Sequence, residues 1–168
     1  MGSGHDHYMQ LALEEALKCT PSPTAYCVGC VLVVRIQPDS PIVLSAGYSR
    51  ELPGNTHAEA NALGKTRSLT KADIEAFSPT LRGYEVPQLL RHTDVYTTLE
   101  PCSIRTSGLA PCADALIKAG AKRCIIGANE PPDFVNCEGA EKLKQAGIEV
   151  IWLEGFEERC LTVARRQV

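Results

Sequence analysis

The chain has 168 residues, of which 44% are hydrophobic and 22% charged, a composition typical of an ordinary folded domain. It excludes a disordered chain, a collagen-like repeat and a coiled coil, and no apolar run is long enough to cross a membrane. The net charge of −3 lacks the basic excess of a general nucleic-acid-binding protein. We expect a single cytoplasmic domain over residues 1–168, with residues 1–5 a cloning remnant or a disordered terminus.

The first half of the chain predicts a helix, a β-hairpin and a second helix. Apolar residues recur at helical spacing over residues 7–18, and a Pro-rich stretch then ends that helix. Two β-rich runs, 28–36 and 41–48, flank a polar turn and predict the hairpin. The second helix begins near Thr56, whereas residues 65–91 are polar and give no assignment beyond a helical turn at 72–77.

The second half alternates strands with helices. Its predicted strands cover residues 94–99, 123–128 and 148–153, and its predicted helices cover residues 112–119, 139–146 and 156–165. Such alternation favours parallel strands, whereas the opening hairpin is antiparallel. The sequence therefore predicts a three-layer α/β/α sandwich around a mixed sheet of about five strands.

Three short segments carry the residue types of a catalytic metal site. His57 and Glu59 stand near the start of the second helix, and Cys102 and Cys112 each follow a proline further along the chain. One imidazole and two thiolates suit zinc, and three protein ligands leave the fourth position open for water. His57, Cys102 and Cys112 are therefore the candidate ligands of one zinc ion. Glu59 is the candidate catalytic residue that takes a proton from the water and passes it to a substrate.

Each part of this pattern also has a plain structural interpretation. An isolated His-x-Glu is common at exposed helix starts, and scattered cysteines are usually core residues. The ordered set H-A-E at 57–59 and L-E-P-C at 99–102 is far more specific, and it matches the signature of zinc-dependent nucleobase deaminases. Cys27 and Cys30 form a C-x-x-C pair that could hold a second metal, but we expect buried core thiols there.

On these motifs the chain resembles the cytidine-deaminase superfamily, and within it the pyrimidine deaminases of riboflavin biosynthesis, especially the fungal DRAP deaminases. Residues 47–59, 97–108 and 127–150 carry the similarity, which covers nearly all of the chain except roughly residues 65–92. The resemblance implies hydrolytic deamination of 2,5-diamino-6-ribitylamino-4(3H)-pyrimidinone 5′-phosphate with release of ammonia. It also implies the cytidine-deaminase-like fold, one zinc per chain and a homodimer, with no nucleic-acid or membrane partner.

The sequence departs from the pattern of these relatives at three places. Nine residues separate Cys102 from Cys112, whereas most superfamily members have two and the riboflavin branch usually has one fewer than this chain. Ala25-Tyr26 stand where bacterial relatives carry Asn-Pro, and E-P-P-D at 130–133 stands where they carry D-P-N-P.

Four further residues are candidate substrate contacts. Arg105 lies in the loop between the two cysteines, where a guanidinium suits a phosphate, although it could be a mere loop charge. Asn55 precedes His57 and could instead be a turn residue. Glu130 follows a strand at the edge where α/β folds bind ligands. The resemblance adds the backbone amide of Ala58, which would help to orient the ring.

Two other functions stay open at this point. A tRNA or nucleoside deaminase of the same superfamily usually has the shorter cysteine spacing, and a tRNA-editing enzyme should also show a basic groove. A catalytically inactive zinc-bearing partner module often lacks the proton-carrying glutamate, which this chain retains as Glu59.

Overall fold

The computed structural model describes residues 4–105, 107–133 and 137–167, and within them five strands form one mixed sheet in the order β2-β1-β3-β4-β5. β1 pairs antiparallel with β2 and β3, whereas β3, β4 and β5 are parallel, which confirms the predicted hairpin and mixed sheet. The strands are β1 (Gly29–Val34), β2 (Ile42–Tyr48), β3 (Thr93–Leu99), β4 (Arg123–Ala128) and β5 (Glu149–Trp152).

Helices cover both faces of this sheet and bury a separate core on each. The helices are α1 (Gly4–Leu17), α2 (Ala58–Arg67), α3 (Lys71–Phe77), α4 (Val86–Leu90), α5 (Cys112–Ala119), α6 (Gly139–Gln145) and α7 (Glu157–Ala164). α2, α5 and α6 pack on one face, where Leu116 and Leu143 are fully buried. α1 and α7 pack on the other face, around Met9 and Cys160. This arrangement is the predicted three-layer α/β/α sandwich.

Two glycines let backbone segments approach more closely than any other residue would allow. A Cβ on Gly29 would collide with the carbonyl of Ala12, so glycine is what lets α1 lie directly on β1. A Cβ on Gly139 would collide with the carbonyl of Pro101, at the start of α6. The second contact fixes the position of the segment that carries Cys102.

The chain termini and several element ends differ from the sequence-based expectations. α1 begins at Gly4, so residues 4 and 5 are helical rather than disordered, and residues 1–3 lie outside the described residues. His5 is held there because its Nδ1 lies 2.8 Å from the hydroxyl of the buried Tyr96. α2 begins at Ala58 and not at Thr56, because His57 has an extended backbone with φ −98° and ψ 152°. The remaining predicted ends agree with the structure to within two residues, and those of α5 and β4 agree at both ends.

Within residues 65–91, the helical turn predicted at 72–77 is α3, and the part left unassigned from the sequence contains the end of α2, a 3₁₀ turn over Pro79–Leu81, and α4. Together they cover a small third core whose buried members include Ile74, Leu81 and Leu89. α3 starts with a capping box in which the Thr70 hydroxyl accepts a hydrogen bond from the backbone amide of Asp73. No helix of the described residues combines the length and the apolar character that crossing a membrane requires.

Candidate functional site

A pocket opens beyond the carboxyl ends of β3 and β4, beside the start of α2. Seven of the eight residues proposed from the sequence line it: Asn55, His57, Ala58, Glu59, Cys102, Arg105 and Glu130. The eighth, Cys112, is 1% exposed and reaches the same place from the first position of α5. The fold thus brings together residues that are up to 75 positions apart in the sequence.

His57, Cys102 and Cys112 form the one group of three or more potential metal ligands found within the described parts of the chain, with all ligand atoms within 4.8 Å of one another. The His57 Nδ1 lies 3.5 Å from the Cys102 Sγ and 3.4 Å from the Cys112 Sγ. Zinc bonds of about 2.0 Å to nitrogen and about 2.3 Å to sulfur, at tetrahedral angles, place those atoms about 3.5 Å apart. The three side chains therefore fit one zinc ion.

Backbone geometry holds the two sulfurs at a helix start. The amide of Cys112, the first residue of α5, donates a hydrogen bond to the Cys102 Sγ at 3.2 Å, and the amide of Ala113 donates to the Cys102 carbonyl at 3.1 Å. The free amides and the dipole of a helix N-terminus favour negative charge. This end of α5 therefore stabilises thiolate, the form in which cysteine binds metal.

The two cysteines compete for one proton when no cation is present. The Cys112 thiol, the His57 ring and the Cys112 amide lower the pKa of Cys102 to about 4, against the opposing effect of burial. The pKa of Cys112 is raised well above its usual value by the Cys102 sulfur and by burial. Two adjacent buried thiolates need a cation between them, which is the condition that zinc satisfies.

Glu59 lies in the first turn of α2 and is 4% exposed. The hydroxyl of Thr97, on β3, lies 3.2 Å from its Oε1. Burial, and after it the negative charge of Cys102, raises the pKa of the Glu59 carboxyl. A buried carboxyl that holds its proton more tightly than usual is suited to taking up a proton and passing it on, which is what general acid–base chemistry requires.

The candidate substrate contacts have different surroundings. The Arg105 Nη2 donates a hydrogen bond to the backbone carbonyl of the exposed Asn55 at 2.8 Å, so these two residues form one wall of the pocket. Burial is the main cause that raises the pKa of Glu130 to about 7, and the Glu130 Oε2 is buried without a hydrogen-bond partner in the described parts of the chain. Ala58 is fully buried.

The expectation for Cys27 and Cys30 agrees with the structure. Cys27 is 1% exposed and Cys30 is fully buried, and Cys30 belongs to the core between the sheet and α2. Neither residue belongs to the metal-ligand group of the described residues. Both therefore behave as core thiols.

Several polar residues that support the pocket were not singled out from the sequence. Arg50 donates hydrogen bonds to the carbonyls of Thr20 and Tyr26, and Glu100 accepts one from the amide of Ala140 at the start of α6. Glu100 is 8% exposed. Polar residues at the end of a fully buried strand need partners, and that burial is the sequence signal that could have identified Glu100 and Thr97.

Comparisons with known proteins agree with this site. The family described as the cytidine and deoxycytidylate deaminase zinc-binding region matches residues 3–128. A diaminohydroxyphosphoribosylamino-pyrimidine deaminase of Schizosaccharomyces pombe is 40% identical over 162 residues, covering 96% of this chain and 35% of that protein. The riboflavin biosynthesis protein RibD of Aquifex aeolicus is 33% identical over 86% of this chain and 33% of its own length. The chain thus spans about a third of the length of these curated relatives.

A solved structure with a similar fold is the Rib2 deaminase of Aspergillus oryzae, in a C-terminal deletion mutant. It matches with a TM-score of 0.75 and 29% identity, over 97% of this chain and 91% of that one. Another structure of that deaminase, in complex with DARIPP, matches with a TM-score of 0.73 and 28% identity, covering 97% and 91% of the two chains. With the match over residues 3–128 and the His-Cys-Cys cluster in place, the chain belongs to the cytidine and deoxycytidylate deaminase family, whose zinc-binding region it carries.

Proposed function

We propose that this chain is a zinc-dependent hydrolase that deaminates 2,5-diamino-6-ribitylamino-4(3H)-pyrimidinone 5′-phosphate in riboflavin biosynthesis. The observation that carries the proposal is the buried Glu59 carboxyl in the pocket that the three-ligand cluster borders. The substrate is inferred from relatives that are named as deaminases of this pathway, and from the Aspergillus oryzae deaminase that was solved with DARIPP. From the length and composition we propose that residues 1–168 form a single domain in the cytoplasm, and on the resemblance we propose that it works as a homodimer.

The chemistry divides between the metal and the protein. Zinc held by His57, Cys102 and Cys112 would supply a Lewis acid that lowers the pKa of a bound water. The carboxyl of Glu59 takes the proton from the attacking water and passes it to a ring nitrogen of the pyrimidine. The oxygen of that water bonds to the ring carbon that carries the amine. The same carboxyl then moves the remaining proton of the added hydroxyl to the amine, so that the carbon–nitrogen bond breaks, ammonia leaves and a carbonyl remains. Burial of Glu59 suits both halves of this transfer, because it raises the pKa of the carboxyl and so its affinity for a proton.

The walls of the pocket supply recognition. Arg105 is tied to the Asn55 carbonyl through Nη2, and its other N–H groups are available to a phosphate. The buried Glu130 Oε2 accepts from an amino group of the pyrimidine. The amide of Ala58 helps to orient the ring, which is inferred from the family.

The substrate is tested by ammonia release. Wild type and Glu59→Gln are each incubated with the ribityl pyrimidine phosphate, with cytidine and with tRNA. We expect release from the pyrimidine phosphate by the wild type and little or none from the other two, because the long loop between Cys102 and Cys112 extends the pocket toward a phosphate. Efficient turnover of cytidine or tRNA would identify one of the other deaminase classes, and no turnover of any of the three would favour an inactive zinc-bearing module.

The metal is tested by elemental analysis of purified variants. We expect one zinc per chain in the wild type and its loss in Cys102→Ala and in Cys112→Ala. The matched control is the double variant Cys27→Ala plus Cys30→Ala, which removes two buried thiols outside the ligand group and should keep the zinc. A second zinc that disappears in this control would contradict the single-site assignment.

A further inference from the structure

A hydrogen bond links two loops that both contribute to the pocket. Tyr26, in the loop before β1, places its hydroxyl 2.7 Å from the Asp133 Oδ2 and 3.1 Å from the Pro131 carbonyl. Tyr26 and Glu130 both line the pocket, one from each loop. Burial, and after it the hydrogen bond to Asp133, raises the pKa of Tyr26, so the hydroxyl keeps its proton and acts as the donor. The bond therefore holds the 130–133 loop at a fixed distance from the loop opposite.

Glu130 is held by backbone contacts on both sides along the chain and by a hydrogen bond between its carboxyl and the Cys137 thiol. Its Oε2 is buried and has no hydrogen-bond partner among the described residues, so no direct bond to that oxygen fixes it. On one side its backbone amide faces the carboxylate of Glu100, whose own amide donates to the Ala128 carbonyl at 2.9 Å. On the other side, the Pro131 carbonyl and Asp133 meet the Tyr26 hydroxyl. Glu130 thus stands between two anchors, one on each side along the chain.

The two loops are also two of the places where the sequence departs from the pattern of its bacterial relatives. Tyr26 occupies one of the positions where they carry Asn-Pro, and Asp133 closes the E-P-P-D segment that stands where they carry D-P-N-P. In the structure these two departures contact each other directly. A tyrosine at one position supplies the donor, and an aspartate at the other supplies the acceptor.

We propose that Tyr26 is a positioning residue, whose hydroxyl bond to Asp133 and the Pro131 carbonyl holds the Glu130 carboxyl against an amino group of the pyrimidine. This inference rests on the proposed deaminase function. A buried carboxylate oxygen without a hydrogen-bond partner destabilises the free protein. A substrate N–H that donates to this oxygen removes the penalty, so it favours binding. Tyr26 acts through Glu130, and its contribution exists only while Glu130 is there to be positioned.

A double-mutant cycle on kcat/KM tests this dependence. Tyr26→Phe should lower kcat/KM for the pyrimidine phosphate about tenfold, mostly through KM, which corresponds to about one net hydrogen bond. In the Glu130→Ala background the same change should cost less than about twofold, because the side chain that Tyr26 positions is gone. Equal losses in the two backgrounds would mean that Tyr26 contacts the substrate by itself, and they would overturn the proposal.

Two further variants separate the hydroxyl bond from its surroundings. Asp133→Asn keeps an oxygen that accepts from Tyr26, so it should retain kcat/KM within about threefold of wild type. The control is Arg165→Gln, which removes only the exposed ion-pair partner of Asp133, 3.1 Å away, and should have no measurable effect. A loss in Arg165→Gln as large as that in Tyr26→Phe would assign the effect to the ion pair and overturn the role of the hydroxyl.

Amide hydrogen exchange of the substrate-free protein gives a readout that needs no turnover. The amides of Glu130 and Asp133 should exchange at least about fivefold faster in Tyr26→Phe than in wild type, because the loop loses one of its two anchors. Faster exchange in a protein that deaminates nothing would reject the proposed function while supporting the positioning of the loop. Unchanged exchange would overturn the positioning itself, whatever the substrate.

Discussion

A buried carboxylate lies at each end of β3, and the two carboxylates have different kinds of partner. Asp94, near the start of the strand, is fully buried and accepts from Arg35 Nε at 2.6 Å and from Arg123 Nε and Nη2 at 2.8 and 2.5 Å. Glu59, against the far end, is 4% exposed and meets the neutral hydroxyl of Thr97.

The difference between the two carboxylates lies in their partners and not in their depth. A buried carboxylate that is paired with two guanidinium groups belongs to the structure. A buried carboxyl beside a neutral hydroxyl and a thiolate holds its proton more tightly and can exchange it, which is a property of catalytic groups. The part of β3 around Asp94 thus serves the structure, and we call it the structural end. The part beside Glu59 serves the chemistry, and we call it the chemical end.

The largest effect is expected from a substitution at the chemical end. Glu59→Gln keeps the size of the side chain but removes its ability to carry a proton, so kcat should fall by about 10²–10⁴-fold. Zinc content and melting temperature should stay near those of the wild type, because Glu59 is not one of the three proposed ligands. Steady-state turnover and elemental analysis check this together. Near-normal turnover would remove Glu59 from the mechanism, and loss of zinc would make it a ligand.

The corresponding substitution at the structural end removes the charge of Asp94. Asp94→Asn leaves two guanidinium groups without their carboxylate, and we expect a loss of about 3 kcal/mol in the free energy of unfolding. The folded fraction should deaminate at the wild-type rate, since Asp94 is not among the residues that line the pocket. Denaturant unfolding and turnover per folded molecule measure the two quantities. A fall in turnover without a fall in stability would contradict the division between the two ends.

The chemical end was largely predictable from the sequence, and the structural end was not. His57, Glu59, Cys102 and Cys112 were identified because their spacing places scarce residue types in recognisable local segments. The ion pairs of Asp94 depend on which strands are neighbours, because Arg35 follows β1 and Arg123 begins β4. No local pattern contains that information.

The same reasoning explains why, of the helices between residues 65 and 91, the sequence predicted only a helical turn at 72–77 and missed the 3₁₀ turn and α4. Their apolar residues, among them Ile74, Leu81 and Leu89, cover a small core made with Val34 and Leu44 of the hairpin. Short helices of this kind depend on tertiary contacts more than on their own periodicity. The Thr70-x-x-Asp73 capping signal was present, and it could have located the start of α3.

The same comparison can be made between Arg105, in the pocket, and the two arginines at the structural end. Arg35 and Arg123 are neutralised by Asp94, whereas the ion pairs among the described residues do not include Arg105. Its charge is therefore available to a phosphate, and Arg105→Ala should lower kcat/KM for the phosphorylated pyrimidine by roughly tenfold to a hundredfold. The dephosphorylated compound should be hardly affected. Equal losses for both compounds would mean that Arg105 supports the Asn55 loop and does not bind phosphate.

The smallest expected effect concerns Glu130, a carboxyl in the pocket whose pKa burial raises from 4.5 to about 7. A carboxyl that binds its proton more tightly in the folded than in the unfolded protein stabilises the fold at low pH. That stabilisation is complete below about pH 4.5 and is lost as the pH rises through about 7. After allowance for solvent screening of a partly exposed group, the loss is about 1–2 kcal/mol.

In Glu130→Gln this loss should disappear, so the free energy of unfolding of the variant should rise relative to that of the wild type between pH 4.5 and 8. Denaturant unfolding of the metal-free, substrate-free proteins at a series of pH values measures the difference, with Glu141→Gln, at an exposed position, as the control that should run parallel to wild type. Parallel curves for Glu130→Gln and wild type would show that the Glu130 carboxyl is as well solvated as an exposed one, and the pocket would then lack the buried carboxyl without a cationic partner that distinguishes it from the Asp94 end.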